Sequence, residues 1–433
     1  MKITFIGTGY VGLVSGVTMS HLGHDVTCLD LDSNKISQLK SKKSPIYEPD
    51  LEEYIERYAG TERLQFSSEY NEDIRDSDCL FITVGTPPKE NGDADLSGIF
   101  SAIKTSINYI KPECLIIIKS TVPPSTCDAV KRFIQEQGKD FEIASNPEFL
   151  REGSAIGDFL EPDRIIVGAS SEKAFQIVQK LYKPLTDRGI KLVETDLVSS
   201  ELIKYASNSF LATKIAFINE IADLCEKIGA DIGSVSKGIG LDTRIGERFL
   251  QAGPGFGGSC FPKDILAMSH LASGVDSDSL ILDSVISANN NRPSKMILKI
   301  SDAAGGNLKN KNITILGLTY KAGTDDLRES PAIPIIGLLS KEGAKITAYD
   351  PKGMDNAKKY FDFLNCASSI EDASKGADII VIATEWLEFK KINWEIIRTL
   401  VKNPIIVDLR NILKISDVES AGFKYYRVGK KHE

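Results

Sequence analysis

Short β-rich runs alternate with longer amphipathic stretches in this chain, and the pattern is written twice. No other feature of its 433 residues constrains the fold as strongly. Between residues 3 and 195 the runs are ITFIG, VTCLD, CLFITV, LIIIKST, FEIAS, RIIVG and KLVET. From residue 312 the pattern returns as NITILGLTY, a helical stretch around 331 to 342, KITAYD, ADIIVIATEW and PIIVDLRN. Such alternation builds a largely parallel sheet with helices on both faces. Between the two blocks the periodicity becomes helical. Asp196 is placed to cap a helix predicted to run to Gly229, with Lys227 in its last turn. Leu202, Ile203, Ala206, Phe210, Ile215, Ile218, Ile221, Cys225 and Ile228 recur along it at helical spacing. At 1.5 Å per residue such a helix is about 50 Å long, a spine between lobes whose exposed apolar face suits a homodimer.

Sixty acidic against 52 basic side chains leave a net charge of −8, so no general positive field exists to hold a nucleic acid. Anionic ligands must be met by local cations. The opening MKITFIGTGY breaks its apolar run at Gly7, unlike a signal peptide, and no apolar run approaches a membrane span. Seven cysteines scattered without CxxC spacing argue against a disulfide framework or a metal site, and for a reducing cytoplasm.

Gly7, Gly9 and Gly12 form GxGxxG directly after a strand and before a helix, with Asp30 closing the next strand. The three glycines serve a tight turn, close approach of a pyrophosphate and helix–sheet packing, and Asp30 would accept from ribose hydroxyls while repelling a 2′-phosphate. The motif predicts NAD binding, against a bare glycine turn in a cofactor-free domain. The expected class is therefore α/β: two Rossmann-like parallel-sheet domains joined by a helical central domain with a long spine helix, divided at 1–196, 197–300 and 301–433.

Cys260 stands in GGSCFPKD, where Pro262 suits a helix start and Asp264 its first turn. A thiol at a helix N-terminus and beside Lys263 has two reasons to ionise, and the flanking glycines are read as leaving room for a ligand. The competing reading is an inert packed cysteine. Lys204 and Asn208 lie four apart on the spine helix, so an ammonium and an amide can face one oxygen with developing charge; equally, they could decorate a solvated face. NPEFLREG, residues 146 to 153, begins where a strand ends and offers Glu148 and Glu152, unless Asn146–Pro147 merely starts a helix.

Taken together these segments resemble the UDP-glucose/GDP-mannose dehydrogenase family. The resemblance spans GTGYVGL (7–13), VGTPP (84–88), KSTVPP (119–124), NPEFLREG, KYASNSFLATKIAFINE (204–220), GPGFGGSCFPKD (253–264) and GLTYKAGTDDLRES (317–330). It implies a four-electron oxidation of a nucleotide sugar by NAD through a cysteine thiohemiacetal and thioester. Carried over residue by residue, it makes Cys260 the nucleophile, gives Lys204 and Asn208 to oxyanionic intermediates, and has Thr121 and Asp264 position a water with Glu148 assisting its attack. It implies cofactor contacts at Gly7, Gly9, Tyr10, Val11, Gly12, Asp30, Lys35, Thr86, Thr121, Glu152, Lys263 and Arg328. The sugar nucleotide would meet Glu148, Phe149, Leu150, Arg151, Glu152, Lys204, Asn208, Phe249, Leu250, Gln251, Ala252, Gly253, Gly257 and Lys321. Arg244 would be lent to a partner subunit's site. The phenylalanine of SCFPKD leans toward UDP-glucose among the nucleotide sugars; GDP-mannose or a UDP-N-acetylhexosamine is the alternative. A hydroxyacid dehydrogenase could share GxGxxG and a Lys-x-x-x-Asn helix but has no use for Cys260, and a non-catalytic NAD-binding protein would have no need of Cys260, Lys204, Asn208 and Asp264 together.

Overall fold

The computed structural model describes residues 1–71, 74–89 and 92–431. They divide into two compact units, the first Met1–Ser207 and the second from Asn208 onward, so that the boundary falls inside one helix, Leu197–Ile228.

The first unit is built on strands β1 (Lys2–Ile6), β2 (Asp25–Leu29), β3 (Leu64–Ser67), β4 (Cys79–Ile82), β5 (Leu115–Ile118), β6 (Ile143–Ser145), β7 (Ile165–Ala169) and β8 (Leu192–Thr195). They lie in the order β3-β2-β1-β4-β5-β6-β7-β8, parallel throughout except where β6 meets β7. β4 and β5, CLFI and LIII, are buried at every position, as strands covered on both faces must be. Edge strand β3 escapes a pattern reading because LQFS is four residues long and carries an exposed Gln65. Two of the sheet's helices start on side-chain caps: for Ser33–Lys40, Asp32 accepts from the amides of Asn34 and Lys35, and for Glu172–Thr186, the Ser171 hydroxyl accepts from Ala174.

In the second unit β9 (Asn312–Leu316), β10 (Lys345–Tyr349), β11 (Asn365–Cys366), β12 (Ile379–Ile382), β13 (Ile405–Asp408) and β14 (Lys424–Arg427) form an all-parallel sheet in the order β11-β10-β9-β12-β13-β14. Its topology repeats that of β3-β2-β1-β4-β5-β6. Helices Ile232–Gly240, Phe261–Gly274 and Leu280–Ala303 belong to the same unit. Ile218, Ala222 and Cys225 of the long helix pack into its core with Met296, Ile300, Ile313 and Ile335.

The long helix begins and ends as its sequence dictates. Asp196 accepts from the Ser199 amide at 2.8 Å and hydroxyl at 2.7 Å, and at the other end Gly229 and Ala230 both donate to the Cys225 carbonyl. Among the described residues no helix is long and apolar enough to cross a membrane, and no group of histidine, cysteine and acidic side chains is disposed to hold a metal ion.

Candidate active site

The strand order of the first sheet reverses at β1, and the crevice outside its carboxyl end is where such sheets bind ligands. A Cβ on Gly12 would lie 1.9 Å from the Gly7 carbonyl, so only glycine lets the helix Tyr10–His21 seat against the turn, whereas Gly9 faces open space through which a phosphate can reach the backbone. Asp30 receives Thr8 through its amide and hydroxyl at 2.8 Å each, the Asp32 amide at 3.0 Å, and the Lys35 ammonium at 2.9 Å. Burial pushes its carboxyl up, but these hydrogen bonds outweigh burial and hold it below its ordinary value. Gly7, Gly9, Asp30, Lys35, Val84 and Thr105 line a cavity of about 380 Å³ here. A dinucleotide fits this donor set: a glycine turn for the pyrophosphate, an ionised carboxylate for the ribose.

The second sheet carries a worn copy of the same turn. Asp350 after β10 accepts from the amides of Leu318 and Thr319, as Asp30 accepts from Thr8, but the Trp386 indole also donates to it at 3.1 Å and it is fully buried. Sealed in this way, Asp350 has no face left for a ribose.

At the carboxyl ends of β5 and β6 a charged cluster is assembled. Lys204 donates to the Glu148 carboxylate at 3.0 Å, both side chains buried, and its ammonium stands 5.2 Å from the Phe149 ring centre. The other Glu148 oxygen accepts from the Leu150 amide, which folds the 146–154 loop back on itself. Asn146–Pro147 starts no helix; the next one is Ala155–Leu160. Thr86 donates to the Thr121 carbonyl at 2.8 Å, joining two residues of the expected cofactor set. Arg151 forks onto Asp158, and Arg164 lies 3.8 Å from the Phe149 ring centre.

Several residues that hold this cluster together were given no role by the sequence. Glu48 is buried and accepts from the Tyr10 hydroxyl and from the amides of Gly153 and Ala155, pinning the 146–154 loop to the glycine-turn helix. Lys119 is buried beside Asn146. Glu201 caps another helix. Isolated charged residues in a sequence look like surface; the folded chain brings these inside.

In the second unit Cys260 sits at the N-terminal end of helix Phe261–Gly274, with Pro262 in the first turn. Its sulfur lies 3.6 Å from the Ser259 hydroxyl. Asp264 is fully buried and accepts from Asn208 Nδ2 and from the Lys263 ammonium, each at 2.6 Å. The Lys263 ammonium, expected beside the thiol, bonds Asp264, and the helix N-terminus is one support for a thiolate. Gly257 and Gly258, expected to leave room for a ligand, are instead closed by the chain itself: a Cβ on Gly257 would lie 2.0 Å from the Glu329 carbonyl, and one on Gly258 2.7 Å from the Tyr320 ring. They let the loop press against residues 320 and 329.

The rest of the expected contact set is spread through the same unit. Leu250 and Ala252 are buried, Phe249 packs on Phe261 at 6.0 Å, and the Gly253 amide donates to Asn219. Gln251 is exposed. Lys321 stands over the Tyr320 ring, Arg328 forks onto Asp326, and Arg244, which is 88% exposed, forks onto Asp242.

A dinucleotide crevice, a second sheet of the same topology and a cysteine at a helix N-terminus define a dinucleotide-dependent oxidoreductase. The sequence matches three domains in register: the NAD binding domain of the UDP-glucose/GDP-mannose dehydrogenase family over residues 1–186, its central domain over 198–291 and its UDP binding domain over 314–415. The chain belongs to the UDP-glucose/GDP-mannose dehydrogenase family, and NAD is its cofactor. It is 56% identical to a UDP-glucose 6-dehydrogenase of Rickettsia felis, covering 100% of this chain and 97% of the relative, and 46% identical to one of Rhizobium meliloti over 99% and 100%. Among solved structures it is similar to a UDP-glucose dehydrogenase of Pyrobaculum islandicum (TM-score 0.91, 34% identity, 99% and 98% covered) and to a UDP-D-ManNAc dehydrogenase of Pyrococcus horikoshii (TM-score 0.87, 30% identity, 99% of each).

Proposed function

We propose that this chain is an NAD-dependent UDP-glucose 6-dehydrogenase, oxidising the C6 alcohol of UDP-glucose to the carboxylate in two steps. The observation that carries this is 56% identity with proteins of that name along the whole chain. NAD, which the glycine turn and Asp30 would hold, would supply the hydride acceptor for each oxidation, a chemistry the side chains lack. The Cys260 thiolate adds to the aldehyde carbon left by the first oxidation, giving a thiohemiacetal; the second leaves a thioester, and water displaces the thiol to release UDP-glucuronate. Lys204 and Asn208 donate to the C6 oxygen in both tetrahedral states. Asn208 gives one N–H of its amide to Asp264, which fixes the amide and leaves the other to point at substrate. Thr121 and Asp264 position the water, and Glu148 assists its attack.

NAD contacts are assigned to Gly7, Gly9, Tyr10, Val11, Gly12, Asp30, Lys35, Thr86, Thr121, Glu152, Lys263 and Arg328, and the sugar nucleotide to the 148–152 loop, the 249–253 stretch, Gly257 and Lys321. We further propose a homodimer with Arg244 contributed across it, a cytoplasmic location suited to a chain of seven cysteines without a disulfide, and a functional division at 1–196, 197–300 and 301–433. Counting NADH formed per sugar consumed across UDP-glucose, GDP-mannose and UDP-N-acetylmannosamine tests the assignment. Two NADH per UDP-glucose are expected. Two per another sugar, with none from UDP-glucose, would replace the substrate; one per sugar would remove the thioester route.

A further inference from the structure

Lys119 follows β5 directly and is 4% exposed. Its ammonium donates at 3.1 Å to Asn146 Oδ1, a neutral oxygen that also receives the Tyr182 hydroxyl at 2.5 Å. Asn146 is itself fixed, its amide donating to the Ile166 carbonyl at 2.8 Å. The Phe159 ring centre lies 5.7 Å from the ammonium. Each neighbouring element turns a charged or titratable group toward this spot. Glu148 comes from the loop after β6, Lys204 from the long helix and Tyr182 from helix Glu172–Thr186. Asp158 and Arg164 line the same small cavity as Lys119, about 50 Å³, but are taken up by Arg151 and the Phe149 ring respectively.

A buried ammonium whose direct acceptor is a neutral amide costs stability at neutral pH, because water solvated it better. Burial pushes Lys119 down to about 8, with the Glu148 carboxylate opposing and the Lys204 ammonium adding to the fall. A methionine would fill much of the same space without that penalty. The cation is therefore not there for the fold. What it does is hold Asn146, two residues before Glu148, and place a second positive charge within electrostatic reach of the Glu148–Lys204 pair.

We propose that Lys119 is a positioning residue for the dehydrogenase reaction: its buried ammonium fixes Asn146 at the head of the loop that carries Glu148 and adds a positive charge near the Glu148–Lys204 pair, so that Lys204 is held toward the C6 oxygen. The role rests on the assignment of Lys204 and Glu148 given under Proposed function.

Lys119→Met tests it, with Lys119→Arg as the charge-conserving control. At pH 7 the methionine variant is expected to lose about tenfold or more in kcat. Its KM for NAD should stay within about twofold of wild type. The pH dependence of its kcat should lose the component centred near the Lys119 value of about 8, and its thermal midpoint should rise. Since the folded value lies below the ordinary 10.5, the stability cost is fully present below about 8 and fades toward 10.5. Both differences from wild type should therefore narrow as pH rises through about 8. Lys119→Arg should keep the rate and the profile without the gain in midpoint. Wild-type kcat and profile in Lys119→Met would overturn the inference, and so would a lowered midpoint or failure to fold, which would make the cation structural. NADH counted from the wild-type preparation decides the substrate separately. If another sugar proves to be oxidised, the same variants are profiled on that sugar.

Discussion

Cys260 is the residue on which the two oxidations divide. Taking a hydride from an alcohol needs a base and an oxyanion partner but no thiol, whereas oxidising the aldehyde needs a tetrahedral adduct, and release needs an acyl bond that water can open. Cys260→Ser should therefore lower steady turnover by roughly a thousandfold or more while NAD and UDP-glucose still bind. Any adduct that does form through the serine should persist as an ester, because an alkoxide leaves less readily than a thiolate. Stopped-flow NADH absorbance and intact-protein mass spectrometry check both parts, and two NADH per sugar at wild-type rate would return Cys260 to the status of a packing residue. At this scale the sequence exposes what is local. Cys260 at a helix start, the glycine turn and the Lys204–Asn208 spacing are all short-range patterns. Lys119, Glu48 and Glu201 are not legible, because each acquires its role from partners on distant segments, as Glu48 does from Gly153 and Ala155 across 105 and 107 residues of chain.

Among the elements, the long helix does more than carry Lys204. One turn before it, Glu201 is buried and accepts from the amides of Ser125 at 2.6 Å and Cys127 at 2.7 Å. It thereby caps helix Thr126–Glu136, whose N-cap residue Ser125 has φ 73° and makes no side-chain cap. That helix follows the Thr121 loop, so the carboxylate ties the loop's far end to the helix bearing Lys204. Burial pushes the Glu201 carboxyl up to about 7, the hydrogen bonds from Cys127 and Ser125 opposing it. With the folded value raised above 4.5, the associated stability is fully present below about 4.5 and is lost as pH rises through about 7. Glu201→Gln, uncharged at every pH, should gain on wild type between pH 5 and 8 by up to a few kcal/mol, at about 1.4 per unit of displacement. Denaturant midpoints of the two proteins at several pH values measure this, and a constant difference across the range would refute it. The strands show where pattern reading stops. β4 and β5 announce themselves as continuous apolar runs, while edge strands β3, β11 and β14 are short or half-exposed and leave no such trace.

For the whole molecule, the long helix leaves an apolar stripe uncovered: Phe210, Phe217, Leu224 and Ile228 are 66%, 51%, 49% and 68% exposed. The first three are seven residues apart and so share one face, the disposition of a helix awaiting another. A second copy of the chain is the proposed occupant, and a two-fold interface would present the same stripe from both sides. Arg244, on the surface of its own subunit, is the side chain assigned to cross it. A complementation experiment separates assembly from catalysis. Arg244→Ala and Cys260→Ser proteins, each prepared alone, should be dimeric in sedimentation and nearly inactive. Dissociated together and allowed to reassociate at random, half of the dimers would hold one chain of each kind. In such a dimer, one site combines the intact Cys260 of the first chain with the intact Arg244 of the second, and the other site carries both defects. Activity should therefore return to about a quarter of the wild-type value. Phe217→Glu introduced into both chains should abolish the recovery and give monomers, since it buries a charge in the shared stripe. No recovery from mixed, demonstrably hybrid dimers would place Arg244 in its own subunit's site, and active monomers would remove the dimer from the mechanism.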